Sequence, residues 1–120
     1  MNINQLKILI CDDSILVRTK VADYLRSINV HEILQAENGQ VAVELYKVHR
    51  PDYVFMDIVM PVKSGIEALR EILAFDKKAK VIIASSAGTQ THLKTAIESG
   101  AIDFIQKPIN NEYVYKIITQ

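Results

Sequence analysis

One cysteine, Cys11, stands in 120 residues, so the chain can close no disulfide on itself and build no cysteine-based zinc site. The three histidines, His31, His49 and His92, lack metal-ligand spacing. Neither sign of charge is in excess: 14 Lys+Arg meet 14 Asp+Glu. That balance argues against a dedicated nucleic-acid surface or a polybasic membrane patch. No apolar run approaches the roughly 18 residues of a membrane span. The start, MNINQLKILICDDS, has neither the basic residues nor the long apolar stretch of a secretory signal. A reduced, cytoplasmic location is the expectation. No linker, repeat or low-complexity tract is visible. One domain over residues 1–120 is therefore expected, since a domain takes roughly 100–200 residues.

What is present is an alternation. Short apolar runs of strand length occur at Lys7–Cys11, Glu32–Ala36, Tyr53–Asp57, Lys80–Ser85 and Ile102–Ile105. The first, third and fourth are continuously apolar, as parallel strands covered on both faces must be. Between them, apolar residues recur at helical spacing. Val17, Val21, Tyr24, Leu25 and Ile28 follow Ser14, a predicted N-cap. Val41, Ala42, Leu45, Tyr46 and Val48 follow the Asn38-Gly39 turn, and Ile66, Leu69, Ile72 and Leu73 follow Gly65. Leu93, Ala96 and Ile97 run to Gly100, placed as a helix-terminating glycine. Asn110 or Asn111 opens a last helix with Val114, Ile117 and Ile118. Five strand–helix units in strict alternation predict an α/β fold, a doubly wound five-stranded parallel sheet with helices on both faces.

Ligand sites of such sheets lie beyond the C-terminal ends of the strands. There the sequence places Asp12-Asp13, Asp57, Ser85 and Lys107-Pro108. Three carboxylates gathered together repel unless something positive intervenes. A hard cation with oxygen ligands suits them, and Mg²⁺ suits best, since it takes one or two carboxylates and favours phosphate oxygens. Lys107 adds a mobile point charge and Ser85 a neutral donor. Phosphoryl transfer is mostly positioning and charge neutralisation, so these parts are sufficient in kind. Taken singly, each has an ordinary structural role. The aspartates could cap helices, Ser85 could be a core hydroxyl, Lys107 a solvated loop lysine and Cys11 a small core residue. The functional case is their conjunction at one edge.

The segments KILICDDS (7–14), ENGQVAVE (37–44), PDYVFMDIVMPVKSG (51–65), VIIASSAG (81–88) and GAIDFIQKP (100–108) carry a family resemblance over essentially the whole chain. The chain resembles the response-regulator receiver domains of bacterial two-component systems, of the single-domain CheY-like, flavodoxin-like kind. The resemblance implies strand order 2-1-3-4-5. It implies that Asp57 accepts a phosphoryl group from the phosphohistidine of a histidine kinase or phosphotransfer protein. Asp13, Asp57 and the main-chain carbonyl of Val59 would ligate Mg²⁺, and Asp12 would hold a coordinated water. Lys107 and Ser85 would contact the phosphoryl oxygens, and a cis peptide would precede Pro108. Phe104 would turn inward as Ser85 moves, altering the surface of the fourth helix, fifth strand and fifth helix for a downstream target protein. Such a protein is a switch with at most self-phosphorylation and self-dephosphorylation, a monomer or a phosphorylation-linked dimer, with no direct contact to nucleic acid or membrane.

Departures from the pattern carry expectations of their own. Phe104 lacks the hydroxyl that a tyrosine would offer, so packing alone would hold its active rotamer. Ser85 stands where many relatives have threonine, and Ser86 where alanine is common. Val59 and Ala87 are apolar at two positions that often carry polar side chains able to position the hydrolytic water, which implies slow self-dephosphorylation. A phosphatase of the HAD type would need an aspartate at Val59 and a cap domain. A flavin module would need a phosphate cradle where Cys11-Asp12-Asp13-Ser14 stands. The remaining alternative is the receiver fragment of a larger regulator.

Overall fold

The computed structural model describes residues 2–86 and 90–120. Among them a short 3-10 turn (Ile3–Gln5) precedes β1 (Lys7–Cys11), α1 (Ile15–Ser27), β2 (Glu32–Ala36), α2 (Gly39–His49) and β3 (Tyr53–Asp57). Then come α3 (Gly65–Phe75), β4 (Val81–Ser85), α4 (Gln90–Glu98), β5 (Asp103–Gln106) and α5 (Asn111–Ile118). The strands form one parallel sheet in the order β2-β1-β3-β4-β5, as expected.

Alternation along the strands sorts the core into two layers. Leu9, Cys11, Val54, Met56, Val81 and Ile83 face α2, α3 and α4, where Tyr46, Leu69, Ile72 and Ala96 close the layer. Ile8, Ile10, Phe55, Ile82, Ala84 and Ile105 face α1 and α5, meeting Leu25, Val114 and Ile117. Burial on both faces explains the unbroken apolarity of β1, β3 and β4. The expected caps Ser14 and Asn110 form, and Asn38 and Ser64 act as caps too: their side chains accept backbone N–H groups of the first turns of α1, α5, α2 and α3 respectively. Gly100, beyond α4, has φ 106.

Two strands differ from the expectation in their bounds. β4 begins at Val81, and β5 spans Asp103–Gln106 rather than 102–105. As an edge strand, β5 is partly exposed, and Ile102 is 51% exposed. Apolarity therefore does not mark where β5 starts.

The β3–α3 connection holds an unusual turn. Lys63 N–H donates to the Pro61 carbonyl at 2.7 Å across Val62, which has φ 70. This is a γ-turn of the rare positive-φ kind, and its centre is a β-branched residue, for which positive φ is unfavourable. Val62→Asn, which tolerates positive φ, will raise the unfolding free energy by about 1 kcal/mol in a urea titration. An unchanged or lower midpoint contradicts the strain.

Candidate functional site

Each strand of the site ends at the same sheet edge and delivers one functional group there. Beyond β1, Asp12 N–H still donates to Ala36 O at 3.0 Å, which keeps the residue against β2. Asp12 Oδ1 accepts Ser14 N–H at 2.9 Å, turning the chain into α1. Its Oδ2 faces inward and accepts Lys107 Nζ at 2.5 Å. Asp13 is the exposed member of the cluster. β3 ends in Asp57, whose Oδ2 lies 3.4 Å from the same ammonium. β4 ends in Ser85, only 1% exposed, one residue beyond the Ala84 that pairs with Asp57. The Ser85 carbonyl accepts Lys107 N–H at 2.9 Å and so anchors the lysine's backbone. The Lys107–Pro108 peptide is cis.

Burial makes these contacts matter. Asp12 is 3% and Asp57 8% exposed, so neither carboxylate is well solvated. Burial raises the Asp57 pKa; the Lys107 charge opposes that rise, and the charge of Asp12 adds to it. For Lys107, burial pulls the pKa down, but the bonds and charges of Asp12 and Asp57 outweigh it and the ammonium ends above its ordinary range. Lys107 is therefore not a mobile point charge, nor a solvated loop lysine. It is clamped between two carboxylates. Burial also pushes the Cys11 thiol up, which leaves a core residue and not a nucleophile.

The raised Asp57 pKa has a pH consequence. A carboxyl that holds its proton more tightly when folded contributes stability below the ordinary value of 3.8, and loses it as pH rises through the folded value. At neutral pH the ionised group costs stability. Metal-free Asp57→Asn will therefore be more stable than wild type at pH 7, and the gap will shrink as pH falls toward 4. Urea titrations in chelator at the two pH values measure it; a pH-independent gap contradicts the cause.

Asp12, Asp13 and Asp57 each offer a carboxylate oxygen, and these atoms lie within 4.8 Å of one another. That spread fits octahedral Mg²⁺, whose ligands at about 2.0–2.1 Å stand roughly 3–4 Å apart. The donor set is all oxygen and partly open to solvent, which leaves room for the waters Mg²⁺ keeps.

The family model described as response regulator receiver domain matches residues 8–119. The chain belongs to the receiver domain family. The receiver is 43% identical over 114 residues to the chemotaxis protein CheY of Bacillus subtilis, covering 95% of each chain. Among solved structures, it resembles a chain of the CheX–CheY–BeF₃–Mg²⁺ complex from Borrelia burgdorferi, with TM-score 0.89 and 34% identity over 95% of this chain and 87% of that one. It also resembles a chain of the Saccharomyces cerevisiae complex between the phosphotransfer protein Ypd1 and the receiver domain of Ssk1, with TM-score 0.87 and 28% identity, covering 95% and 86%.

The receiver brings Asp12, Asp13, Asp57, Ser85 and Lys107 together at one edge. Val59 stands at the rim with its side chain 65% exposed. Phe104 is not in the cluster; it lies half-buried against the α2–α3–α4 layer. Ala87 lies outside the described residues.

Two contributors escaped sequence reading. Arg18, one turn into α1, donates through a guanidinium N–H to the Asp12 carbonyl at 2.6 Å and through Nε to Gln35 Oε1 at 3.1 Å. It fixes the loop that carries both aspartates. Only its position, four residues beyond the N-cap, could have hinted that it folds back on that loop. Gly65 gives the chain of α3 close access to the Asp57 carbonyl: a Cβ there would lie 1.9 Å from that oxygen.

Proposed function

We propose that this receiver is a Mg²⁺-dependent phosphoacceptor switch in which Asp57 takes a phosphoryl group from a phosphohistidine. The observation that carries the reading is the Lys107 ammonium, 2.5 Å from Asp12 and 3.4 Å from Asp57, beside three convergent carboxylates. An Asp57 oxygen attacks phosphorus as the P–N bond breaks, and the leaving imidazole keeps the bonding pair. Bound Mg²⁺ supplies charge neutralisation to the phosphoryl oxygens. Asp13, Asp57 and the Val59 carbonyl would hold it, with Asp12 on a coordinated water. Lys107 neutralises the same oxygens, and the Ser85 hydroxyl adds a charge-assisted hydrogen bond.

Asp57 is modified rather than regenerated within one chemical step, so the chain acts as a switch and not as an enzyme turning over a small molecule. Its readout is the surface of α4, β5 and α5. There Leu93, Ile97 and Tyr113 are exposed beside half-buried Phe104. The phosphoryl group biases two arrangements of that surface by its differential contacts with them. The partner classes are a histidine kinase or phosphotransfer protein on the input side and a target protein on the output side. The CheX and Ypd1 complexes of similar receivers support both classes. Among the described residues no helix is long and apolar enough to cross a membrane.

The apolar, exposed side chain of Val59 offers nothing to orient a hydrolytic water. Val59→Asn will therefore shorten the phosphoaspartate lifetime; an unchanged decay contradicts this role. The proposal as a whole is tested with phosphoramidate, a small P–N donor. Intact mass will show one added phosphoryl group per chain with Mg²⁺ and none with chelator. Labelling indifferent to Mg²⁺ overturns the metal's part in it.

A further inference from the structure

Arg18 stands where a cation site should repel it. Asp12, Asp13 and Asp57 converge as oxygen donors for a divalent ion, and Lys107 already brings a positive charge to them. A second fixed cation against the same loop opposes a bound metal by Coulomb's law. Yet the half-buried Arg18 guanidinium is held there, donating to the Asp12 carbonyl at 2.6 Å. Among the described residues no carboxylate pairs with it, so neutralising an acid does not account for its place.

The main chain shows what the bond does. All the polar groups of Asp12 are engaged. Its N–H donates to the Ala36 carbonyl, its Oδ1 accepts Ser14 N–H and its Oδ2 accepts Lys107 Nζ. Its carbonyl is left for Arg18. That carbonyl belongs to the peptide unit joining Asp12 to Asp13, and a peptide unit is planar. Fixing the oxygen fixes the plane, and with it the direction in which the Asp13 side chain leaves the backbone. Asp13 is exposed, and among the described residues no hydrogen bond or ion pair holds its carboxylate. Its aim therefore comes from the main chain alone. Gln35 on β2 completes the arrangement: its Oε1 accepts Arg18 Nε at 3.1 Å. A guanidinium is a rigid planar fork, so the bond at Nε orients the group that reaches Asp12.

We infer that Arg18, oriented by Gln35, is a positioning residue for Mg²⁺: it sets the Asp12–Asp13 peptide plane and so holds the Asp13 carboxylate ready for the ion. The inference rests on the Mg²⁺-dependent reading above. It links the metal site to β2 at the margin of the sheet, through one side chain that touches no metal ligand atom. Positioning outweighs repulsion here, because supports of metal ligands typically change affinity by about 10–100-fold, whereas solvent and salt screen a charge that is only half-buried.

Charge and positioning predict opposite signs. Calorimetric titration of the full chain with magnesium chloride separates them. If Arg18 only repels the ion, Arg18→Met will bind Mg²⁺ more tightly. The positioning role predicts binding weaker by about tenfold, and the Mg²⁺ concentration that half-saturates phosphoramidate labelling will rise by the same factor. Gln35→Leu, at an exposed position, will weaken binding by a smaller factor, and will add nothing in the Arg18→Met background. Unchanged or tighter binding by Arg18→Met overturns the inference, as does a Gln35→Leu effect that persists without Arg18. Should Arg18→Met fail to fold, Gln35→Leu carries the test, and wild-type affinity in that variant overturns the inference. If the wild type itself binds no Mg²⁺, the metal reading falls and this role with it; normal wild-type binding with unaffected variants removes only the role of Arg18.

Discussion

Gly65→Ala will lower the unfolding free energy by at least about 3 kcal/mol. The added methyl would meet the Asp57 carbonyl oxygen at 1.9 Å, its carbon at 2.8 Å and Ile58 Cα at 3.0 Å. All three are backbone atoms of β3 or its continuation, so no side chain can swing aside. The hydrogen bond from Gly65 N–H to the Ile58 carbonyl, 2.8 Å, would break or stretch as α3 withdraws. The damage falls on the site as well as the fold, because the crowded carbonyl belongs to Asp57. Urea unfolding measures the first effect and Mg²⁺ titration the second. A loss under about 1 kcal/mol with unchanged Mg²⁺ affinity would contradict the close approach.

Lys107→Met will destabilise the metal-free protein by about 2–3 kcal/mol, and Mg²⁺ will recover most of that loss. The Lys107 side chain is 15% exposed, and those of its partners Asp12 and Asp57 are 4% and 10% exposed. Removing it leaves two poorly solvated carboxylates facing each other, and Asp57 rises further because the charge that held it down is gone. A cation bound by the same carboxylates replaces the missing charge. Mg²⁺ therefore stabilises the variant more than the wild type, by the usual linkage between binding and folding. Thermal unfolding across a Mg²⁺ series checks this; equal stabilisation of both proteins contradicts it. The variant will keep some phosphorylation but lose its coupling to partner binding, since in the proposed switch no ammonium remains to meet the phosphoryl oxygens; the backbone bond to the Ser85 carbonyl is unaffected.

β1, β2 and β3 matched the expectation to the residue, while β4 starts one residue later and β5 lies one residue further on. In β1 and β3 burial on both faces makes the apolar run conspicuous. β5 was misplaced because apolar Ile102 stands exposed just outside it, so the apolar run and the strand do not coincide. The convergence of Asp13, Asp57, Ser85 and Lys107 was legible for a topological reason: parallel strands in strict alternation with helices must all end at the same edge. What a linear sequence could not convey was how the edge is held. The clamping of Lys107 depends on which Asp12 oxygen turns inward. The bracing by Arg18 depends on a helix turn folding back onto its own loop. The γ-turn at Val62 contradicts local preference, so no reading of propensity would place it there.

The central claim is that Asp57 itself accepts the phosphoryl group. The direct measurement is to label the protein with phosphoramidate and Mg²⁺, reduce the acyl phosphate with borohydride, and locate the reduced residue by peptide mass. The account predicts modification at position 57 in the wild type and no labelling of Asp57→Asn. Labelling of that variant at the wild-type level, or a modified residue elsewhere in the chain, would contradict it.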